Sequence, residues 1–289
     1  MADLLGEIRE TCRILDIKPS RNKGQNFLIN EKIYDEIIKA AEITEDDTVL
    51  EIGPGLGLLS FKLALKAKRV LAVEIDNQLA GYLEMASAAK NTGNLEIYNE
   101  DILRFNLPEK LSPLEEYKIV ANLPYNITSI FLRLFLSNPR RPKSLVLMLQ
   151  KEVAERIVAK APDMSLLALS VQYFAQAEII RQVKAGNFWP EPKVDSAIIK
   201  LTVKPEFLKA NQDNEKNREE EKMFFRLAKI GFSAKRKMLK NNLSGGLKID
   251  GKKIAELLAE NNFNSQARAE DLSLDDWQKL FAALRVFMI

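Results

Sequence analysis

The sequence predicts an α/β protein, a seven-stranded and largely parallel sheet covered by helices on both faces, with a smaller helical domain after it. Three observations carry this. Seven short apolar runs rich in β-branched residues recur along the first 204 positions; segments of helical spacing alternate with the earlier ones; and beyond Lys204 strand-like runs give way to amphipathic helices. Strand and helix in alternation imply parallel pairing, because a parallel crossover needs a helix-length connection and its helices bury both sheet faces.

Taken in order, the strand candidates are TVLEIG from Thr48, RVLAVEID from Arg69, LEIYNED from Leu95, YKIVANL from Tyr117, SLVLMLQ from Ser144, EIIRQVK from Glu178 and SAIIKLTV from Ser196. Helical spacing marks EKIYDEIIKAAE from Glu31, LLSFKLALKA from Leu58, QLAGYLEMASAAK from Gln78, ITSIFLRLFLS from Ile127 and KEVAERIVA from Lys151. The sheet should end near Val203. KPEFLKANQDNEKNREEEK, from Lys204, is polar and suits a linker or an exposed helix start. KMFFRLAKIGF, KRKMLKNNL, KKIAELLAE and LDDWQKLFAALRVF follow as amphipathic helices, the last opened by Ser273 and Asp276 in the spacing of a capping box. The expected domains are therefore residues 1–204 and 205–289, and no internal repeat is evident.

Composition narrows the function. With 289 residues, 46% hydrophobic and 29% charged, the chain can bury one sizeable core and a smaller second one. The first twenty residues carry acids and no apolar core before a small-residue cleavage site, so no secretory signal is expected, and no run is long enough to span a bilayer. A single cysteine, Cys12, and the absence of His suit a reducing cytoplasm and argue against a zinc or His-based site. No metal is expected, and the chemistry must come from carboxylates, amides, hydroxyls, aromatics or a cofactor. Residues 1–204 balance 27 basic against 27 acidic side chains, whereas Lys222 to Lys253 holds ten Lys and Arg against Asp250 alone. Such a block suits either a solvated helix face or a surface for a polyanion.

The first strand runs into Glu51-Ile-Gly53-Pro-Gly55-Leu-Gly57 and then a helix, the order of a nucleotide-binding crossover. Glu74 ends the next strand 21 residues after Gly53, where an acid holds a ribose hydroxyl pair in such folds, while Asp76 suits a helix N-cap before Gln78. Leu58 stands where a dinucleotide fingerprint needs its third glycine, which disfavours NAD. Asp101, ending the third strand, fits two roles equally, an acceptor for an adenine amino group or a turn carboxylate capping Ile102. The fourth strand ends at Asn122, so VANLPYNITS lies at the carboxyl edge of the sheet beside this crevice.

GQNFL at Gly24 to Leu28, EIGPGLG, VEID, NED, ANLPYN and NFWPEPKVDS at Asn187 to Ser196 occur in the order seen in the rRNA adenine dimethyltransferases, and the chain resembles their bacterial KsgA/RsmA type over nearly its whole length, including FSAKRKMLKNNL and RAEDLSLDDW. The resemblance implies a Rossmann-like class I methyltransferase domain with a helical RNA-binding domain. It implies S-adenosylmethionine over Gly53, Gly55 and Gly57, with Glu74 and Ile75 at the ribose, Asp101 and Ile102 at the adenine edge, and Gln25, Asn26, Leu28 and Asn122 closing the site.

For an adenine acceptor, Asn122 Oδ1 and the Leu123 carbonyl would take both N6 protons and aim the nitrogen lone pair at the methyl group. Pro124 would fix the turn, and Tyr125 and Phe188 would stack on the two faces of a base drawn out of its helix. Arg140, Arg141, Lys143, Lys235, Arg236, Lys237 and Lys240 are the expected phosphate contacts. By resemblance the substrate is two adjacent adenosines in the 3′-terminal hairpin of small-subunit rRNA, each methylated twice in an immature subunit by a monomeric, cytoplasmic enzyme. One departure is PDMSLLALSV from Pro162, where many relatives have a Tyr-Gly loop. The competing readings are an Erm-type large-subunit rRNA methyltransferase, a non-catalytic nucleic-acid-binding factor of the same fold and, most remotely, a dinucleotide oxidoreductase.

Overall fold

A computed structural model of the chain describes residues 4–19, 24–112, 115–208 and 215–288. Its strands are β1 (Phe27–Leu28), β2 (Thr48–Ile52), β3 (Arg69–Val73), β4 (Leu95–Tyr98), β5 (Tyr117–Asn122), β6 (Ser144–Gln150), β7 (Ala175–Val183), β8 (Phe188–Trp189) and β9 (Ser196–Val203). Its helices are α1 (Leu4–Ile14), α2 (Glu31–Ala41), α3 (Leu58–Ala64), α4 (Asn77–Ala89), α5 (Leu107–Lys110), α6 (Thr128–Leu136), α7 (Lys151–Val158), α8 (Leu166–Phe174), α9 (Glu215–Gly231), α10 (Leu239–Leu247), α11 (Gly251–Glu260) and α12 (Leu274–Leu284).

All seven expected strands form one sheet, in the order β4-β3-β2-β5-β6-β9-β7. The central strands read as continuous apolar runs because both faces are covered: every residue of β2 is buried, as are the first six of β6. The pairs from β4 through β6 are parallel, but β9 runs antiparallel to β6, pairing Ser144 with Thr202 and Gln150 with Ser196. Helices separate the sheet strands as far as β7, and no α-helix lies between β7 and β9, the strand that runs antiparallel to β6. From β2 the chain builds outward to β4 and then returns to place β5 on the other side of β2. That reversal of strand order opens a crevice at the carboxyl ends of β2 and β5, which is where such sheets bind ligands.

Local chemistry fixes the helices around this crevice. Asn30 caps α2 by accepting from Lys32 N, and Asp76 caps α4 by accepting from Gln78 N and Leu79 N, the N-cap role expected of it. α2 buries Ile33, Tyr34, Ile37 and Ile38 in the core, each worth about 1.5–3 kcal/mol of removed apolar surface. Two short strands escaped the sequence reading: β1 pairs antiparallel with β8, setting Phe27 against Trp189 and Leu28 against Phe188. Ile29 N donates to Asn187 O at 2.8 Å, and Asn30 Nδ2 to Asn187 Oδ1 at 2.9 Å, so the GQNFL and NFWPEP segments are stitched together.

The described residues fall into two compact units. One comprises those up to Ala154 together with Gln176–Lys204; the other comprises Glu155–Ala175 together with those from Pro205 onward. The sequence reading had a single break after residue 204, so the placement of Glu155–Ala175 differs from it. The reason is packing. Met164, Ala168 and Leu169 join the core of Phe224, Leu227, Trp277 and Leu280, and Met164 N donates to Glu270 O at 3.1 Å. In the same unit Ser273 and Asp276 form the expected capping box at the start of α12. Residues 209–214 of the expected linker lie outside the described residues. No helix among the described residues is long and apolar enough to cross a membrane.

Candidate active site

The carboxyl ends of β2, β3 and β5 open onto a cavity of about 300 Å³ whose walls include Gly53, Gly55, Glu74, Ile75, Asp101 and Asn122. Gly53 and Gly55 both sit at positive φ (64° and 58°), and the Gly55 backbone N–H donates to Glu74 Oε2 at 3.1 Å. Asp76 N donates to Glu74 Oε1 at 2.9 Å, so both oxygens of this buried carboxylate are held by backbone while lone pairs remain for a ligand hydroxyl. Burial raises its carboxyl pKa, opposed by those two N–H groups.

Gly57 departs from expectation. It is not part of the cavity wall but the N-cap of α3 at φ 78°, and a Cβ there would meet Leu83 Cδ1 at 2.4 Å. The third glycine therefore serves the packing of α3 against α4. Asp101 combines its two candidate roles: Oδ1 accepts from Leu103 N at 2.9 Å, and the residue still lines the cavity beside Ile102. Ile75 is 63% exposed at the rim.

The GQNFL segment closes the cavity from the N-terminal side. Gln25 Nε2 donates to Asp76 Oδ2 at 3.2 Å, and Asn122 Nδ2 donates to Asn26 O at 3.3 Å. Gly24 sits at φ 67°, and a side chain there would also meet Pro124 Cβ at 2.8 Å, so the position calls for glycine on both counts. Leu28 is buried and lines the cavity, and its carbonyl accepts from Tyr34 OH at 3.0 Å. The bond to Asn26 fixes the Asn122 amide, leaving Oδ1 as its other, accepting end. Asn122 and Pro124 are wall residues, whereas Leu123 is 1% exposed, its N–H donating to Met148 O at 3.1 Å. Tyr125 is half-buried and shares a hydrogen bond of 2.9 Å with Ser196, which is wholly buried at the start of β9. Burial raises the Tyr125 pKa and the Ser196 contact opposes this.

Phe188, expected at the second face of the base, lies away from the cavity wall. At 3% exposure it belongs to the core cluster, its strand position opposite Leu28 placing it in the stitched β1–β8 pair rather than in the cavity wall. The basic residues divide in two. Arg140 donates to the carbonyls of Leu111, Ser112 and Glu115, Arg141 Nε to Leu136 O at 2.6 Å, and Lys143 pairs with Glu116 at 2.5 Å. Arg140 and Arg141 are thus tied to backbone carbonyls, and Lys143 sits in an exposed ion pair. Lys235, Arg236 and Lys237 are exposed and Lys240 is half-buried, and none of the four makes an ion pair among the described residues.

Sequence reasoning gave no role to several wall residues, Glu51 among them. Glu51, inside β2, is 1% exposed. The wholly buried Ser60 hydroxyl on α3 is the donor that faces it. Burial pushes the Glu51 carboxyl up to about 8; nearby Ser60 opposes the shift and the Glu74 charge adds to it. The signal was an acid in a strand whose neighbours are all apolar. Among the described residues the cavity wall carries Glu51, Glu74, Glu100 and Asp101 and neither Lys nor Arg, so its electrostatics favour a cationic ligand over a phosphate.

The chain matches the family model for ribosomal RNA adenine dimethylase over residues 18–285. It is 39% identical over 277 residues to a ribosomal RNA small subunit methyltransferase A from Dehalococcoides mccartyi, covering 96% of this chain and 92% of the relative. A protein of the same name from Trichormus variabilis is 41% identical over 281 residues, covering 93% and 99%. Among solved structures, a dimethyladenosine transferase from Plasmodium falciparum has a TM-score of 0.77 at 30% identity, covering 91% of this chain and 98% of the other. The 23S rRNA methyltransferase ErmE has a TM-score of 0.70 at 27% identity, covering 90% and 100%.

Proposed function

The chain belongs to the ribosomal RNA adenine dimethylase family, and from that premise we propose that it dimethylates N6 of two adjacent adenosines in the 3′-terminal hairpin of small-subunit rRNA. It is an S-adenosylmethionine-dependent rRNA adenine dimethyltransferase of class I fold. The finer assignments, an immature small subunit as acceptor and a monomeric, cytoplasmic enzyme, are part of the same proposal and follow the small-subunit names of the relatives.

The cavity fits the methyl donor. Positive-φ glycines bring backbone close to a ligand, Glu74 retains acceptor capacity for ribose hydroxyls, and an all-acidic set of charges suits a cation. In this reading Gly53, Gly55, Glu74, Ile75, Asp101 and Ile102 hold the nucleoside, and Gln25, Asn26 and Leu28 cover it. When bound, S-adenosylmethionine supplies an electrophilic methyl group on a sulfonium.

The protein's task is to present the nucleophile. Adenine N6 is weak because its lone pair is drawn into the ring. Asn122 Oδ1 and the Leu123 carbonyl accept the two N6 protons and turn that lone pair outward, toward the methyl group. The single observation carrying this reading is the bond from Asn122 Nδ2 to Asn26 O, which fixes the amide with its oxygen available for the base. Tyr125, steadied by Ser196, offers its ring for stacking worth about 1–3 kcal/mol. Methylation leaves the nitrogen cationic, so its proton departs without a general base, and rate comes from positioning. Lys235, Arg236, Lys237 and Lys240 take the phosphates.

The test is transfer of labelled methyl groups to unmethylated small subunits by wild type and Asn122→Ala. The wild type should label them. The variant should bind donor nearly as well and lose at least about 100-fold in transfer, since positioning effects reach several kcal/mol. Labelling of naked large-subunit rRNA alone would transfer the assignment to the ErmE-like reading, and equal loss of binding and transfer would make Asn122 a donor contact only.

A further inference from the structure

The basic turn after α9 is held from beneath by one buried side chain. The backbone folds back at Ala234–Lys237, with Lys237 N donating to Ala234 O at 3.0 Å, so Lys235 and Arg236 take the two central positions of a turn and are exposed there. Asn242, near the start of α10 and 6% exposed, donates Nδ2 to Gly231 O at 2.6 Å and to Ala234 O at 3.1 Å. Both amide protons are thereby committed, one to a carbonyl at the end of α9, where helical partners run out, and one to the carbonyl on which the basic turn closes. The flanks are fixed as well. Phe232 stacks on the buried Trp277 ring at 5.3 Å, a Cβ at Gly231 would meet that same ring at 2.3 Å, and Leu239 N donates to Ala267 O at 2.8 Å.

Three consecutive cations repel one another and oppose so compact a fold. With the backbone folded in advance, its freedom is lost at folding and not when RNA arrives, which raises affinity without adding a contact. We propose that Asn242 is a positioning residue for RNA: it keeps Lys235, Arg236 and Lys237 arranged as one phosphate-binding platform while itself touching neither RNA, donor nor base. The proposal rests on the reading of this turn as a phosphate contact. A polyanion suits it because none of Lys235, Arg236, Lys237 and Lys240 makes an ion pair among the described residues.

Equilibrium binding of unmethylated small subunits between about 50 and 200 mM salt separates charge from arrangement. Asn242→Ala should weaken binding about tenfold at every salt concentration, the effect of about one residue's backbone freedom lost on binding, with the slope against log salt unchanged. Arg236→Gln with Lys237→Gln should lower the slope itself. In methyl transfer Asn242→Ala should raise KM for subunits about tenfold and leave kcat and donor affinity within about twofold, a split that general destabilisation would not produce. Amide exchange in the free wild type decides the point even where Asn242→Ala fails to fold: the Lys237 N–H should exchange at least about tenfold more slowly than in an unstructured chain, and subunits should add little protection. Unchanged subunit binding by Asn242→Ala, a loss of kcat at unchanged KM, or a Lys237 amide protected only when subunits are present overturns the proposal. If the double charge variant binds as tightly as wild type with the same slope, the phosphate reading itself fails and takes the proposal with it.

Discussion

Removing the Glu51 charge should change how stability depends on pH, even without ligand. Burial lifts this carboxyl from 4.5 to about 8, so between those values the folded protein holds a proton that the unfolded chain has lost. Stability from this group is complete below about pH 4.5 and declines as pH rises to about 8. At about 1.4 kcal/mol per pH unit the whole interval is worth about 5 kcal/mol, a large share of a domain's usual margin of about 5–15 kcal/mol. Glu74 is shifted in the same direction, so the wild type alone would not isolate the effect. The carboxylates Asp47, Glu96 and Glu115 are shifted downward, and their contributions fall away only at more acidic pH. Glu51→Gln keeps the side-chain shape and removes the ionisation. Urea unfolding followed by circular dichroism at about pH 5.5 and 8.5 should show the wild type losing about 3 kcal/mol more than the variant on going from the lower to the higher pH. Parallel losses in the two proteins would refute the reasoning, because they would mean that Glu51 is already ionised when the protein is folded.

Gly57→Ala forces a Cβ at φ 78° to within 2.4 Å of Leu83 Cδ1. Left-handed strain of about 1–2 kcal/mol and overpacking of about 1–3 kcal/mol should lower stability by about 2–5 kcal/mol, and an unchanged thermal midpoint would contradict the packing role. Tyr125→Phe removes the contact with Ser196 while keeping the aromatic face. It should cost about 1 kcal/mol of stability and reduce transfer far less than Asn122→Ala, and equal activity losses would point to the hydroxyl rather than the ring. Arg236→Gln with Lys237→Gln should lower the slope of log affinity for RNA against log salt by about 1.5. Arg140→Gln should leave that slope unchanged and destabilise the fold, because its guanidinium is spent on backbone carbonyls; a reduced slope would restore it as a phosphate contact.

What could be read from the sequence follows the range of the physics involved. The seven sheet strands were visible because burial on both faces leaves a continuous apolar run, a property of the strand itself. β1 and β8 were not, because two-residue strands have no period and exist only through each other. The same division runs through the site. Gly53, Gly55, Glu74 and Asn122 occupy positions fixed by strand ends and turns, and those are local features. Gly57 and Phe188 carry residue types that serve a ligand or a core equally well, and only their neighbours, Leu83 in one case and the core cluster around Leu28 in the other, decide between them. For Arg140 the sequence shows its charge but not the three carbonyls it donates to. Glu51 went unassigned for the same reason: its complete burial beside a second acid is a statement about surroundings.

The placement of Glu155–Ala175 with the C-terminal helices has a consequence for engineering. The chain leaves the sheet unit after Ala154, returns at Gln176 and leaves again after Lys204. The C-terminal unit is thus not a tail that can be cut off or grafted as a cassette. A protein ending at residue 204 would keep α8 but lose Phe224, Leu227 and Trp277, the residues that cover Ala168 and Leu169, and would present that apolar face to water. Such a truncation should aggregate rather than survive as a methylase blind to RNA. A chimaera that exchanges the terminal helices between relatives has to carry the insert between Ala154 and Gln176 along with them.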